Sequence, residues 1–547
     1  MQSPYFTADH ELFRQTVRQF MENEVVPHAE AWEKEQRIPR SIWKKMGELG
    51  FLGINFPEQY GGAAADFFYS VVFLEEVGRT ALGGFAAAVA VQQYMATAHL
   101  YRVGTEALKQ NYLIPSIKGE KVGALAITEP NAGSDVANIQ TRAEREGDHY
   151  IIRGSKTFIT NGVYGDFITV AVKTRPDAGV DGISLIVVDR DTPGLSARKL
   201  QKIGWHCSDT AELSFDDVKV PVSQRIGEEN MGFYYIMESF QLERLVAALT
   251  AIGGMDKALE VTLQYITERT AFGRPLARFQ VIRHALADIA SELEAARQLT
   301  YYAAYLCDRG ESFVREASMA KLLTSELGKR MADVCLQYFG GYGYMEDYPI
   351  ARMYRDARVG TIAGGTSEIM REIISRVMID RVKYDSVYEQ QKERESEAAP
   401  ERAAKPASER GEDGPDLSTT SHEQDAEKKP DVSEMAKRPE TVAEIFNTLP
   451  QRFRADKAGD FETVIHFDIS GKEGGLFTVR IHGGRCEVRE GLHGEARCVV
   501  KTKDKTYKDI ELGRANPQVA FMMGKIKVSN VSEMLKFIGL FRPLKDT

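Results

Sequence analysis

At 547 residues, 43% of them hydrophobic, the chain is too long for one ordinary core, and two or more independently packed units are expected. Its net charge of −9 disfavours nucleic acid as the main partner, because phosphate binding needs a basic face. No uncharged apolar run reaches the roughly 18 residues of a spanning helix. Asp9, Glu11 and Arg14 stand where a secretory signal needs an apolar stretch. The five cysteines (Cys207, Cys307, Cys335, Cys486 and Cys498) show no C-x-x-C pairing, so packing thiols and a reducing, cytoplasmic compartment are expected.

Residues 1–120 carry a helical period, with Phe13, Val17, Phe20 and Met21 on one face. Residues 121–230 turn strand-like: the stretches 150–152, 167–172 and 183–188 are apolar and separated by Gly, Asn and Asp turns. Residues 231–384 are helical again, in long segments with few breakers. Helix, strand and helix in blocks imply α+β layers and no doubly wound sheet.

Residues 385–438 hold 15 acidic and 9 basic residues and one aromatic, Tyr388. Such a segment buries too little apolar surface to offset its ordering entropy, and it reads as a flexible linker, with a solvated helix over 389–397 as the alternative. Residues 439–547 read as a separate α+β unit. A helix is expected over 441–449, strands over 463–469, 476–481, 497–502 and 525–528, and amphipathic helices on either side of the last strand.

Several chemistries find no motif. Gly340-Gly341-Tyr342-Gly343 and Gly364-Gly365 do not join a strand to a helix in a βαβ unit, and neither G-x-x-x-x-G-K nor G-x-S-x-G occurs. His466, His482 and His493, near Cys486 and Cys498, match no zinc spacing, so strand-packing or surface roles are expected and no metal.

Two short stretches are more suggestive. Residues 128–135 read T-E-P-N-A-G-S-D, a turn of small polar side chains and open backbone N–H groups suited to a polar ring edge or a phosphate. Residues 158–162 read F-I-T-N-G, an aromatic and a hydroxyl before a hairpin-type turn. Alone, the first reads as an ordinary loop and the second as just a hairpin. They are followed in order by G-W-H-C-S-D-T at 204–210, E-R-T-A-F-G at 268–273, Q-Y-F-G-G-Y-G at 337–343 and G-T-S-E at 365–368. This series resembles the acyl-CoA dehydrogenase family, from near residue 10 to about 380.

The resemblance implies a helical N-domain, a central β-barrel-like domain and a helical-bundle C-domain, with FAD as cofactor. Ile127, Thr128 and Thr160 would meet the polar edge of its ring and Phe158 would pack on it. Arg269, Phe272, Gln280, Gln337, Gly340 and Gly341 match positions on its pyrophosphate and adenosine, several of them across a subunit interface, and Thr366 and Glu368 match a helix-start contact. Ser134 would lie beside cofactor and CoA, and Arg244, Gly364 and Gly365 beside the acyl-CoA substrate. A homo-oligomer, tetramer or dimer, and an electron-transfer flavoprotein as acceptor follow from the same likeness.

Such enzymes need a carboxylate near the substrate α-carbon and donors for a developing enolate oxygen. Many members carry the base as Glu in an E-G-T triplet, which here reads Gly364-Gly365-Thr366. Members resembling the long-chain and isovaleryl enzymes place it in a helical L-E-R, and this chain has Leu242-Glu243-Arg244. The residues agree with a buried acid. Ile236, Phe240, Glu243 and Ala247 form one stripe, and Leu242, Leu245, Val246 and Leu249 make the helix apolar nearly all round. Desolvation there should raise the pKa of Glu243, with Arg244 about 100° away around the helix. An ordinary ion pair of Glu243 and Arg244 is the alternative. Gly364 N–H is expected to donate to the thioester oxygen.

Residues 516–528, N-P-Q-V-A-F-M-M-G-K-I-K-V, resemble the sterol carrier protein type-2 family. That likeness implies a five-stranded sheet and helices around an apolar tunnel for lipid or acyl-CoA. Phe521, Met522 and Met523 are lining candidates, with core packing the alternative. Lys501, Lys503, Lys505 and Lys508 are candidates for anionic head groups, CoA or a transient membrane contact, against a plain solvated edge. The expected whole is a dehydrogenase of long-chain or branched acyl-CoA with a tethered carrier. A flavin oxidase on the same fold and a non-catalytic lipid-binding protein are the competing readings.

Overall fold

The computed structural model describes residues 4–382, 439, 441–459, 461–512, 526–542 and 544. The chain forms two compact units, Met1–Ala404 and Lys405–Thr547. The expected linker lies outside the described residues, as does the 516–525 part of the carrier motif with Phe521, Met522 and Met523.

The first unit opens with helix α1 (Ala8–Phe20), started by Thr7, whose hydroxyl accepts from His10 N–H while the His10 ring accepts from Thr7 N–H. Its stripe buries Val17, Phe20 and Met21. Helices α2 (Ala29–Glu35), α3 (Arg40–Glu48), α4 (Phe67–Arg79), α5 (Gly83–Ala90) and α6 (Thr97–Val103) follow. Trp32, Trp43, Met46, Phe51, Phe73 and Phe85 fill the core between them. Helix α4 is buried along most of its length, Glu75 and Glu76 included. Arg14 donates to both carboxylates, Arg18 to Glu76 and Tyr301 to Glu75, which offsets the cost of burying them.

Eight strands make the middle layer: β1 (Gly123–Ala126), β2 (Arg142–Glu146), β3 (His149–Thr160), β4 (Phe167–Lys173), β5 (Ile183–Asp189), β6 (Leu195–Lys199), β7 (Thr210–Pro221) and β8 (Arg225–Ile226). They run in the order β6-β7-β3-β2-β4-β5-β8, with β1 parallel to β4. The expected hairpin at Asn161-Gly162 is corrected. Asn161 takes the turn conformation (φ 63°), but β3 pairs with β2 and β7, and β4 with β1, β2 and β5. The turn therefore carries the chain to another part of the layer. The buried Asn161 amide donates to Ala88 and Gly123 carbonyls, which ties this turn to α5.

The long helices are α7 (Gly232–Glu268), α8 (Gln280–Asp308), α9 (Val314–Phe339), α10 (Pro349–Ala357) and α11 (Ser367–Met378). A two-strand hairpin, β9 (Thr270–Ala271) with β10 (Arg274–Pro275), interrupts a stretch that reads as helix throughout. Its tip, Phe272-Gly273, has positive φ at both residues (50° and 76°), the geometry of a tight hairpin turn. Helices α4 and α7 cross at glycines. A Cβ at Gly253 would lie 2.0 Å from the Glu75 carbonyl oxygen, and one at Gly78 2.1 Å from that of Thr250.

In the second unit Thr441 and Glu444 form a reciprocal cap on α12 (Val442–Arg452). The sheet runs β13-β12-β11-β14-β15, from β11 (Thr463–Ser470), β12 (Gly475–His482), β13 (Arg485–Glu490), β14 (Cys498–Lys503) and β15 (Ile526–Val528). Helices α13 (Asp504–Glu511) and α14 (Val531–Ile538) complete it. Phe446 stacks between Phe477 and Tyr507, with centroids 4.1 and 4.9 Å away. His466 is buried with its Nε2 3.2 Å from the His493 carbonyl oxygen. Among the described residues no helix is long and apolar enough to cross a membrane.

Candidate active site

The turn after β1 and the end of β3 are locked together by a buried pair. Lys156 Nζ donates to Ile127 O (2.9 Å) and Glu129 Oε1 (2.7 Å). Glu129 also accepts from the Gln140 and Thr141 N–H groups, and Thr157 N–H donates to Thr128 O at 2.9 Å. Burial pushes the Lys156 ammonium down to about 8 against the pull of Glu129. Burial would raise Glu129, but Lys156 and the backbone donors outweigh it and hold the carboxyl low.

This frame presents four of the expected cofactor residues. Ile127 is buried, and Thr128 and Thr160 are half-buried. A register shift between Lys156 and Ile159 bulges β3 and turns Phe158 outward, 70% exposed at φ 62°. A large aromatic in that backbone region is strained, and strain of this kind gathers at functional positions. Ser134 is exposed in its turn.

Helix α7 carries Glu243, 7% exposed, with Oε1 lacking a hydrogen-bond partner among the described residues. Burial pushes its pKa up to about 8, opposed by Arg244. Arg244 is itself buried, so its offset around the helix does not take it to the surface. The expected stripe is only partly inward: Ile236 and Glu243 are buried, Phe240 is half-buried and Ala247 exposed. One turn before Glu243, Ser239 Oγ lies 3.5 Å from Nδ1 of His99, which burial lowers to about 3 and keeps neutral.

Gly364 (φ 65°) and Gly365 (φ 92°) form the turn into α11, conformations that side chains rarely adopt. Thr366 caps that helix by accepting from Ile369 N–H (3.3 Å), and Glu368 is exposed in its first turn. The link between this turn and Glu243-Arg244 is Lys321 on α9. Its Nζ donates to Gly365 O at 2.5 Å, and it lies close enough to Arg244 to feel its charge. Sequence reasoning missed Lys321 and Lys156 and gave Glu129 no role. The signal was a lone lysine on an apolar stripe: Ala317, Ala320, Thr324 and Leu327 are buried around Lys321.

The remaining expected residues sit apart. Arg269, Phe272, Gln280, Gln337, Gly340 and Gly341 are all exposed, with Phe272 at 95%. Arg269 lies 5.8 Å from the Tyr342 ring, which joins the hairpin to the glycine turn after α9. A Cβ at Gly340 or Gly341 would meet nothing within 4 Å, so the backbone there is open to approach. At 1.5 Å per residue, Glu243 and Arg269 stand on the order of 40 Å apart along α7.

Comparison with known proteins shows the family. Residues 7–120, 124–218 and 230–379 match the acyl-CoA dehydrogenase N-terminal, middle and C-terminal domains, and residues 446–542 match the SCP-2 sterol transfer family. The chain is 38% identical over 377 residues to the mitochondrial long-chain specific acyl-CoA dehydrogenase of Sus scrofa, covering 68% of this chain and 87% of that protein. It is 40% identical over 370 residues to the short-chain specific acyl-CoA dehydrogenase of Clostridium acetobutylicum, covering 68% and 97%. The crystal structure of an acyl-CoA dehydrogenase from Geobacillus kaustophilus is similar at 46% identity and a TM-score of 0.67, covering 69% of this chain and all of that one. The chain belongs to the acyl-CoA dehydrogenase family and carries a C-terminal SCP-2 domain.

Proposed function

We propose that the first unit binds FAD and dehydrogenates a long-chain or branched acyl-CoA to its trans-2-enoyl-CoA, with Glu243 as the base. The reading rests on one observation above all: a carboxyl buried on α7, with an oxygen lacking a partner among the described residues and a pKa pushed up to about 8. A base working near neutral pH needs such a pKa. The residues present fit the flavin. Phe158 offers an aromatic face, Thr128 and Thr160 offer hydroxyls for a polar edge, and the Gly340-Gly341 backbone lies open for a dinucleotide.

In the proposed reaction the Cα–H bond of the thioester breaks and its proton passes to Glu243. The electron pair left behind forms the Cα=Cβ bond as hydride leaves the β-carbon. Bound FAD supplies the hydride acceptor. Gly364 N–H donates to the thioester oxygen, where negative charge develops as the α-proton leaves. Arg244 beside Glu243 favours the ionised base that the step requires. Nothing lies within 4 Å of a Cβ built at Gly364, which leaves space for a long or branched acyl group.

Glu243 and Arg269 are further apart along α7 than an extended flavin dinucleotide reaches. Arg269 of a second copy is therefore the better grip on the pyrophosphate, and a homo-oligomer follows. An electron-transfer flavoprotein is the proposed acceptor, and the SCP-2 domain the proposed acyl or lipid carrier. Replacement Glu243→Gln is the direct test. It should lower kcat by about 10²–10⁴-fold with FAD still bound, and near-normal turnover in that variant removes Glu243 as the base.

A further inference from the structure

Among the described residues of this unit two lysines are buried, Lys156 and Lys321, in unlike surroundings. Lys156 meets the carboxylate of Glu129. Lys321 is 2% exposed, and its hydrogen bond goes to a carbonyl oxygen, that of Gly365. The charged groups acting on it are Arg244, which opposes it, and Glu326 and Glu368, which favour it. Burial and Arg244 together bring its ammonium down to about 8. A buried cation bonded to a neutral acceptor beside a second cation is costly, and an apolar side chain of similar volume would pack there at lower free energy.

What the charge does is legible from its two neighbours. On one side is Arg244, next in sequence to Glu243. On the other is a two-glycine turn at positive φ, which has no side chains of its own to hold its shape. The Gly365 carbonyl lies in the same two-glycine turn as Gly364 N–H, and the bond from Lys321 holds that carbonyl from a separate helix, which narrows the conformations open to the turn. The same charge, near the N-terminal end of α11, adds positive potential where a thioester oxygen bonded to Gly364 would gain negative charge.

Resting on the proposed dehydrogenation, we infer that Lys321 is a positioning residue: through the Gly365 carbonyl it holds the glycine turn so that Gly364 N–H polarises the thioester oxygen. It touches neither the α-proton nor the hydride. Its loss should weaken activation of bound thioester more than it weakens binding.

The test uses the FAD-loaded full chain and an aryl-conjugated enoyl-CoA, whose absorption moves to the red when its thioester carbonyl is polarised. The shift requires no proton transfer, so it reads the turn whether or not Glu243 is the base. Wild type should show the shift, Lys321→Met should lose most of it, and Lys321→Arg, which keeps a donor and a charge, should retain it. In turnover, Lys321→Met should lower kcat about tenfold to a hundredfold while KM changes less than about threefold. Should Lys321→Met not accumulate with FAD, Lys321→Leu, which also lacks a donor, is measured the same way. A full shift in either neutral variant overturns the role of Lys321. No shift in wild type removes Gly364 as the thioester donor and this inference with it. Turnover by Glu243→Gln with the shift intact overturns only the base assignment.

Discussion

The carboxylate of Glu129 and the ammonium of Lys156 meet at 2.7 Å with both side chains buried, and they clamp the turn after β1 to the bulge that presents Phe158. Removing one partner leaves the other as an uncompensated charge. Lys156→Met should therefore cost about 3–5 kcal/mol, seen as a lower urea midpoint and as FAD lost on gel filtration. Adding Glu129→Gln to it should recover part of that loss, because the stranded carboxylate is gone. Equal stability of wild type and Lys156→Met would show that the pair holds nothing.

Glu243 gives a pH dependence with a definite sign. A base must be ionised, so kcat/KM should rise with pH and level off above about 8, where burial places the carboxyl. The stability effect runs the other way. Between the ordinary carboxyl pKa of 4.5 and about 8, the folded chain holds a proton on Glu243 that the unfolded chain has released. This contribution is full below 4.5 and is lost as pH rises to 8, at about 1.4 kcal/mol per pH unit. Glu243→Gln lacks it, so the variant should gain stability relative to wild type as pH is raised from 5 to 8. Parallel urea midpoints for both proteins across that range would contradict the buried, protonated acid.

The legible parts are those with a local cause. Helix α7 announces itself by apolar residues all round, α12 by Thr441 and Glu444 at capping distance, and β3 to β5 by alternation or apolar runs between turn residues. Strand β13, R-C-E-V-R-E, is hidden because it is an edge whose charges alternate outward. The β9–β10 hairpin is hidden because its tip is Phe-Gly, with an aromatic where Asn or Asp usually marks such a turn. In the site, Glu243 stands out as the one acid in the apolar stretch 239–255 of α7, whereas Lys156 and Lys321 take their roles from partners on other elements. Glu129 and Gly365 reach them through tertiary structure, which no periodicity reports.

The position of Glu243 depends on how closely α7 approaches α4. At Gly253 an added Cβ would stand 2.0 Å from the Glu75 carbonyl oxygen, which is backbone and has no rotamer to yield. Gly253→Ala must therefore push the helices apart, at a cost of about 1–3 kcal/mol or more. The displacement would also carry Glu243 with the helix, so kcat should fall while FAD remains bound. Gly254→Ala is the matched control, because its Cβ meets only the Gly78 carbonyl oxygen, at 3.7 Å. Similar melting temperatures for the two variants would mean that the crossing tolerates a methyl group.

The SCP-2 domain closes its own core around Phe446, Phe467, Phe477 and Tyr507, and the two compact units divide after Ala404. Removing residues 405–547 should therefore leave FAD content and the kcat for a short acyl-CoA unchanged. A tethered carrier acts by raising the local concentration of a ligand that it holds, and the gain depends on how well it holds that ligand. Long acyl chains offer it more apolar surface than short ones. The apparent KM of the truncated chain should accordingly rise for a long-chain acyl-CoA and stay level for a short one. Adding the separate domain in trans at equal concentration should restore little, because the tether and not the domain alone sets the local concentration. An equal rise for both chain lengths would point to a structural effect of truncation, and no rise for either would leave the carrier without a part in substrate delivery.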